Sequence, residues 1–102
     1  MTESARIRQK YPDRVPIICE RHPKSSLPEI SKNKFLVPHD MRTAHFLTII
    51  RQKMQLDPSV AIILYVGNTI PSPEDFVNKL YENYGDDDGF LYITYTGENT
   101  FG

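Results

Sequence analysis

The sequence has little of what many secreted proteins, membrane proteins and enzymes depend on. It contains one cysteine in 102 residues, so no internal disulfide can form, and no basic-then-apolar leader opens it. Both features point to a reducing compartment such as the cytosol. The longest apolar run, residues 60–66, is far shorter than the roughly 20 residues of a membrane span. The five glycines are dispersed and form no phosphate-binding loop.

Side chains that could carry out chemistry are also scarce. The three histidines, His22, His39 and His45, are spread along the chain, and without a second cysteine or a His-Glu-x-x-His pattern they give little support for a metal site. Cys19 lies in an apolar run and is interpreted as a core residue rather than a nucleophile. Residues 86–88 lack the spaced ligands and closing glutamate of a calcium loop. No cofactor is implied, and a free-standing enzyme is the weakest hypothesis.

The composition is that of one ordinary globular domain, but the charge is uneven. Hydrophobic residues make up 39% and charged residues 25% of the chain, as in typical soluble domains. Residues 1–53 carry 11 Lys and Arg against 5 Asp and Glu, and residues 54–102 carry 1 against 8, so the halves have net charges of +6 and −7. A basic half attracts acidic ligands. Because its basic residues are scattered singly, nucleic acid is not the expected partner.

The first half of the chain predicts two helices and two strands. Thr2 is placed to cap a short helix that Pro12 ends, with Ala5, Ile7 and Tyr11 on its apolar side. The runs "RVPIICE" and "NKFLVP" predict a strand hairpin with a long loop. The segment "DMRTAHFLTIIRQKMQL" has the periodicity of an amphipathic helix. Its start has two candidate caps, which are Asp40 and Thr43.

The second half predicts a strand, a helix and a last strand. The run "VAIILYV" lacks polar alternation, so a strand in the middle of the sheet is expected. In "PSPEDFVNKLYENYG" the pattern predicts a helix with Ser72 as N-cap and Gly85 at its end. Its inner face is predicted to be Phe76, Val77, Leu80 and Tyr84. "DDDG" is a turn into the alternating strand "FLYITYTG". This order predicts an α+β fold of the β-grasp kind, a mixed sheet with helices packed on one face.

The chain ends "GENTFG", which admits two interpretations. A terminal glycine is often only part of a frayed end. A glycine carboxylate can also be a reacting group, because a tail without a Cβ can pass through a narrow channel and present its carbonyl to a nucleophile.

Four stretches carry a resemblance to a known family. "VPIICE", "KFLVP", "VGNTIPSPEDF" and "GFLYITYTGENTFG" resemble the autophagy ubiquitin-like modifiers, the family that includes GABARAP and the microtubule-associated light-chain-three proteins. The resemblance runs from about Glu3 to Gly102. It implies one ubiquitin-like domain over residues 1–102, with a four-stranded mixed sheet and two packed helices. Residues 1–11 would be a short N-terminal helical extension, and residues 97–102 a flexible C-terminal tail.

The resemblance also implies a function. In this family the terminal glycine, here Gly102, is adenylated by an activating enzyme, passed between enzyme cysteines as a thioester and joined to the amine of phosphatidylethanolamine. The expected partners are the activating and conjugating enzymes, a processing and deconjugating cysteine protease, and receptors recruited to autophagosomal membranes. Cys19 has no part in this chemistry. The family usually begins with two helices, and the sequence has room only for the second. The alternative is a binding-only adaptor that is never conjugated.

Family members bind acidic peptides of the form aromatic-x-x-aliphatic, which add a strand to the sheet. The resemblance assigns the aromatic pocket to Glu3, Ile7, Pro16, Ile18, Lys34, Leu36 and Phe90. It assigns the aliphatic pocket to Phe35, Val37, Pro38, Met41, Phe46, Ile49 and Ile50. It assigns contacts with the ligand's acids to Arg14, Lys32 and Lys53, together with Lys34. Three residues of the aliphatic pocket, Phe46, Ile49 and Ile50, fit a core position as well as a pocket. A further patch near Ile63 and Tyr65 matches a second docking surface of the family or, equally, a buried strand.

Overall fold

The computed structural model describes residues 2–97, and its elements follow the predicted order. They are α1 (Glu3–Lys10), β1 (Arg14–Arg21), β2 (Lys34–Pro38), α2 (Thr43–Met54), β3 (Ile63–Tyr65), α3 (Val77–Tyr84) and β4 (Leu91–Thr96). Thr2 caps α1 as predicted, because its hydroxyl accepts a hydrogen bond from the Ala5 N–H at 3.1 Å. The turn before β4 is also confirmed, with Gly89 at a φ of +88°.

The sheet is four-stranded and mixed, in the order β2-β1-β4-β3. β1 pairs antiparallel with β2 and parallel with β4, while β3 pairs antiparallel with β4. The prediction that the apolar run before Gly67 forms a central strand is wrong, since β3 is a three-residue edge strand. The run is nevertheless apolar throughout because Leu64 is buried in the core while Ile63 and Tyr65 are half-buried on the other face. The central strands are β1 and β4.

The core lies between one face of the sheet and helices α2 and α3. Alternate residues of β1 and β4 point into it, as the period of a strand requires. Its most deeply buried side chains are Val15, Ile17, Cys19, Phe46, Ile50, Val77, Leu91, Ile93 and Tyr95. Cys19 is therefore a core residue, and burial raises the pKa of its thiol to about 12. A neutral, buried thiol is a poor nucleophile.

The start of α3 differs from the prediction. The helix begins after Phe76 rather than after Ser72, although Gly85 ends it as expected. The Ser72 hydroxyl instead accepts a hydrogen bond from the Glu74 N–H, within a turn that precedes the helix. Phe76 and Tyr84, predicted to face inward, are 43% and 44% exposed, so the buried face of α3 consists of Val77 and Leu80.

The first turns of α2 and α3 bind each other's preceding segments. The Thr43 N–H donates to the Asp75 C=O at 2.9 Å, and the Val77 N–H donates to the Met41 C=O at 2.8 Å. These bonds satisfy helix N–H groups that a local side-chain cap would otherwise bind. Consequently the N-cap of α2 is Arg42, with no side-chain hydrogen bond, and neither candidate cap in the sequence has that role.

α1 lies against the opposite face of the sheet, and its Arg8 guanidinium reaches the Tyr81 ring of α3. Lys34 points to that face, because it is opposite Ile18 in the β1–β2 register while the core residue Ile17 is opposite Phe35. The Lys34 ammonium lies 2.9 Å from a carboxylate oxygen of Glu3 on α1. The helices are thus divided between the two faces rather than packed on one. Among residues 2–97, no helix is long and apolar enough to cross a bilayer.

Candidate functional site

β2 has an unpaired edge within the described part of the chain, because it lies at the end of the sheet and pairs only with β1. Antiparallel strands alternate between residues that bond their partner and residues whose backbone groups point away. The Cys19 N–H donates to the Asn33 C=O at 2.8 Å, which assigns Phe35 and Val37 to the paired side. The backbone N–H and C=O groups of Lys34 and Leu36 therefore face the open edge. Such an edge can accept another strand.

The seven residues assigned to the aromatic pocket come from four parts of the chain and meet on the α1 face. Glu3 and Ile7 lie one turn apart on α1, Pro16 and Ile18 on β1, Lys34 and Leu36 on β2, and Phe90 just before β4. Pro16 and Leu36 are opposite one another, as are Ile18 and Lys34. The Lys34 ammonium lies 5.9 Å from the centre of the Phe90 ring.

Burial divides these residues into a floor and a rim. Pro16 and Phe90 are buried and form the floor. Ile7, Ile18 and Leu36 are half-buried, so each has apolar surface available to a ligand. This apolar surface adjoins the open edge of β2. A strand that pairs with that edge can therefore also place a side chain on the surface.

Four of the residues assigned to the aliphatic pocket have accessible surface. Phe35, Met41 and Ile49 are half-buried and Pro38 is exposed. Phe35 lies on the α2 face of β2, Met41 lies between β2 and α2, and Ile49 lies on α2, whereas Pro38 ends β2 on the α1 face, in register with Arg14. The Phe35 ring packs edge-on against the Phe46 ring, with 5.4 Å between centroids.

The other three residues of that set belong to the core. Val37, Phe46 and Ile50 have exposures of 5%, 0% and 0%. In this structure they support the accessible residues from beneath. Of the three residues that fitted both roles, Phe46 and Ile50 are core, and Ile49 alone has free surface.

Basic side chains lie on and beside β2. Both carboxylate oxygens of Glu3 accept hydrogen bonds from Lys34, at 2.9 and 3.0 Å. The Arg14 guanidinium donates to the Leu36 C=O at 3.4 Å. Lys32 and Lys53 are exposed, the first just before β2 and the second near the end of α2. An acidic ligand at this edge would meet positive charge, but at Lys34 it would compete with Glu3.

Several residues that shape the site were not predicted from the sequence. Ser4 is 3% exposed, and its hydroxyl donates to the Asp88 C=O in the turn before Phe90. Arg8 donates to the Arg14 C=O at 2.6 Å and lies over the Tyr81 ring. The packed side of α1 is thus Ser4, Ile7 and Arg8 rather than Ala5, Ile7 and Tyr11. The sequence does contain an indication of this packed side, because Ser4 and Arg8 are four residues apart and so lie on the same face of the helix.

The turn before β4 is held by carboxylate hydrogen bonds. Asp88 Oδ1 accepts from the Phe90 N–H at 2.9 Å, and Asp88 Oδ2 accepts from the Tyr92 hydroxyl. The Tyr92 hydrogen bond is the main cause that lowers the pKa of Asp88, and the Phe90 N–H lowers it further. The same contact raises the pKa of Tyr92 to about 12. Residues 2–97 contain no cluster of His, Cys, Asp and Glu that could hold a metal ion. Gly102 lies outside the described residues.

The chain is similar to known proteins in both sequence and structure. The model of the family described as "Autophagy protein Atg8 ubiquitin like" matches residues 1–102. The chain is 49% identical to Autophagy-related protein 8A of Oryza sativa subsp. indica over 100 residues, which cover 98% of this chain and 84% of that protein. It is 48% identical to Autophagy-related protein 8 of Schizosaccharomyces pombe over 101 residues, covering 99% and 84%.

Two solved structures have similar folds. Trypanosoma brucei ATG8 superimposes with a TM-score of 0.91 at 39% identity, over 98% of this chain and 86% of that one. Plasmodium falciparum Atg8 in complex with a Plasmodium falciparum Atg3 peptide superimposes with a TM-score of 0.83 at 37% identity, over 94% and 88%.

Proposed function

The chain belongs to the Atg8 family of autophagy ubiquitin-like proteins, and we propose that it is a modifier joined through Gly102 to phosphatidylethanolamine. We propose further that it binds receptors with acidic aromatic-x-x-aliphatic motifs and brings them to autophagosomal membranes. The observation that carries the binding proposal is the open edge of β2, with apolar surface on both faces of the sheet. The conjugation proposal rests on family membership and on the terminal glycine.

A peptide paired with β2 would account for the spacing of the motif. Residues i and i+3 of an extended strand point to opposite faces. The aromatic pocket is on the α1 face and the aliphatic pocket on the α2 face, so side chains three positions apart could enter both. β2 runs from Lys34, beside Glu3 and Phe90, to Pro38, beside Met41. The peptide would therefore run parallel to β2.

A similar protein with a bound peptide supports this class of ligand. The Plasmodium falciparum structure holds an Atg3 peptide, so a short peptide segment binds at least one relative with this fold. For the present chain we infer an acidic segment, since Lys32 and Lys34 are exposed at the open edge of β2 and Lys53 is exposed on α2. Charge complementarity of this kind increases the association rate and the specificity of a complex.

The spacing of the motif provides the test of the binding proposal. We would titrate the chain with an acidic peptide containing Phe-x-x-Leu and with a variant that has one extra residue between Phe and Leu. The insertion turns both side chains to the same face, so we expect affinity to fall by at least about tenfold. The control peptide has the same added residue before the acids. Equal affinity for all three peptides would rule out strand addition across two faces.

The conjugation proposal involves one adenylyl transfer followed by three acyl transfers. The Gly102 carboxylate attacks the α-phosphate of ATP and releases pyrophosphate, and the thiolate of the activating enzyme then displaces AMP. The thiolate of the conjugating enzyme displaces that first thiolate, and the amine of phosphatidylethanolamine finally displaces the second thiolate and loses a proton. Nucleophilic catalysis by partner enzymes divides one difficult amide formation into easier steps. The product would carry two acyl chains, and each buried methylene contributes about 0.8 kcal/mol to membrane binding.

Intact mass measurement tests conjugation independently of peptide binding. The chain and its Gly102→Ala variant would each be incubated with the activating and conjugating enzymes, ATP and liposomes that contain phosphatidylethanolamine. We expect a mass gain of one lipid in the unmodified chain only. No gain in either, with enzymes that conjugate another family member, would support the alternative of a peptide-binding adaptor that is not conjugated.

A further inference from the structure

α1 is attached to one short turn directly near its start and through Tyr81 of α3 near its end. We call residues 86–90 the Phe90 turn. Near the start of α1, the Ser4 hydroxyl donates to the Asp88 C=O of this turn. Near its end, the Arg8 guanidinium lies 5.0 Å from the centre of the Tyr81 ring, and the Tyr81 hydroxyl donates to the Gly89 C=O at 2.8 Å. The turn that supplies Phe90 to the aromatic pocket is therefore also the anchor of the helix.

α1 depends on this attachment for its position. It has eight residues, and isolated helices shorter than about 12 residues are marginal in water. The two pocket residues that it contributes, Glu3 and Ile7, lie on either side of Ser4 in sequence. Ser4 is 3% exposed, whereas Glu3 is exposed and Ile7 is half-buried. Ser4 is thus the fixed point between two residues that face the ligand.

The contact between Ser4 and the Phe90 turn leaves no space for a larger residue. Gly89 has a φ of +88°, and a Cβ on it would overlap the Ser4 hydroxyl and lie 2.8 Å from the Ser4 Cβ. Gly67 is a useful comparison because it also has a positive φ, of +61°, yet a Cβ on it would have no atom within 4 Å. Alanine at either position is conformationally strained, but only alanine at Gly89 would push α1 away.

We propose that Ser4 is a positioning residue for the aromatic pocket, which it controls through its contact with Gly89 and the Phe90 turn. This inference rests on the proposed binding of aromatic-x-x-aliphatic motifs. When the contact is present, Ile7 forms a wall of the pocket and Glu3 stays beside Lys34. When it is lost, the wall is lost, and the peptide's aromatic residue contributes less to affinity. The aliphatic pocket, which shares no residue with α1, keeps its contribution.

The test is a double-mutant cycle read with three peptides. The chain variants are Gly89→Ala, Ser4→Gly and the double variant, with Gly67→Ala as the control for strain at a positive φ. The peptides contain Phe-x-x-Leu, Ala-x-x-Leu and Phe-x-x-Ala. The ratio of dissociation constants between the second and first peptides measures the aromatic contribution, and the ratio between the third and first measures the aliphatic contribution.

We expect Gly89→Ala to reduce the aromatic ratio by at least about threefold, with the aliphatic ratio unchanged in every variant. Ser4→Gly removes the side chain that the alanine would strike, so adding Gly89→Ala to it should reduce the aromatic ratio no further. Such non-additivity is the signature of two residues in direct contact. Equal aromatic ratios in Gly89→Ala and Gly67→Ala would overturn the inference.

A second variant covers the possibility that Gly89→Ala does not fold. Ser4→Ala removes only the hydroxyl, and alanine is a better helix former than serine, so any loosening of α1 must come from the hydrogen bonds lost with that hydroxyl, which are to the Asp88 C=O and to the Thr2 hydroxyl at 3.2 Å. We expect amide hydrogens of residues 6–10 to exchange several-fold faster in Ser4→Ala, while those of β1 and β4 do not change. Unchanged exchange would also overturn the inference. If the unmodified chain shows no aromatic ratio above one, the proposed function fails as well.

Discussion

The two proposed pockets at the edge of β2 are built in different ways. The aromatic pocket combines a short helix, two strands and a turn, and polar contacts hold these parts together: Glu3 with Lys34, and Ser4 with Asp88. The aliphatic pocket lies directly on the core, where Phe35 packs on the fully buried Phe46. One pocket can therefore change shape without unfolding the domain, whereas the other is as rigid as the core beneath it.

Because of this difference, substitutions at the two pockets should change different properties, either ligand affinity or the free energy of unfolding. Deleting buried apolar volume lowers the free energy of unfolding, so substitutions beneath the aliphatic pocket should affect folding first. The exposed ion pair of Glu3 and Lys34 contributes little to stability, so substitutions of that pair should affect ligand affinity first. A family of receptors that differ at the aromatic position could then be distinguished without any change in the core.

The largest effect should follow from Phe46→Ala. Phe46 is 0% exposed, and truncating a buried phenylalanine typically costs about 3–5 kcal/mol of unfolding free energy. Urea denaturation would measure it. Phe76→Ala is the matched control, because Phe76 is 43% exposed, and we expect it to cost less than about 1.5 kcal/mol. Equal losses in the two variants would contradict the assignment of Phe46 to the core.

Leu36→Ala should reduce peptide affinity more than stability, in contrast to Phe46→Ala. Leu36 is half-buried on the aromatic side of β2, so we expect peptide affinity to fall at least about fivefold while stability falls by less than about 1.5 kcal/mol. Ile63→Ala is the control, since Ile63 is half-buried on the same face of the sheet but on the other edge strand. Unchanged affinity after Leu36→Ala would remove this residue from the site.

The order of the elements could be predicted from the sequence because it depends on local periodicity. The alternation of Leu91, Ile93 and Tyr95 with polar neighbours indicated β4, and the spacing of Phe46 and Ile50 indicated α2. Positions set by distant partners could not be predicted. The apolar run that contains β3 gave no sign that it would lie at an edge, because strand order depends on pairing rather than on hydrophobicity.

The same limit explains the errors in the site. The start of α3 depends on a bond from the Val77 N–H to Met41, 36 positions earlier in the chain, so Ser72 was a misleading local signal. The contact of Ser4 with Asp88 spans 84 positions, and no periodicity within α1 reveals it. Family resemblance supplied the pocket residues, and burial then separated Val37, Phe46 and Ile50, which support the site, from those with accessible surface.

A smaller effect should come from Glu3, which competes with the ligand for Lys34. We expect Lys34→Ala to weaken an acidic peptide by a few fold and Glu3→Gln to strengthen it by about twofold, because exposed ion pairs are worth roughly 1 kcal/mol or less. Salt should weaken binding to the unmodified chain, since exposed charges are screened beyond about 10 Å at 0.1 M. Lys24→Ala, at an exposed residue of the β1–β2 loop, serves as the control. Stronger binding after Lys34→Ala would contradict the role of its charge.

The smallest effect concerns the pair of Asp88 and Tyr92 in and beside the Phe90 turn. The hydrogen bond from Tyr92 to Asp88 raises the pKa of Tyr92 from 10.0 to about 12. Because this pKa is higher in the folded chain, the protonated phenol stabilises the fold fully below pH 10, and the contribution disappears as the pH rises through about 12. The same bond lowers the pKa of Asp88, so that carboxylate contributes above its ordinary value of 3.8 and ceases to do so as the pH falls below it.

Titration of Tyr92 by carbon NMR would test this pair. We expect Asp88→Asn to move the Tyr92 pKa towards 10, since the accepting carboxylate and its charge are both removed. Asp57→Asn is the matched control, because the pKa of Asp57 is lowered by Ser59 in a different loop. A Tyr92 pKa that did not respond to Asp88→Asn would show that the carboxylate of Asp88 does not hold the Phe90 turn in solution. The polar construction of the aromatic pocket would then rest on Ser4 and Glu3 alone.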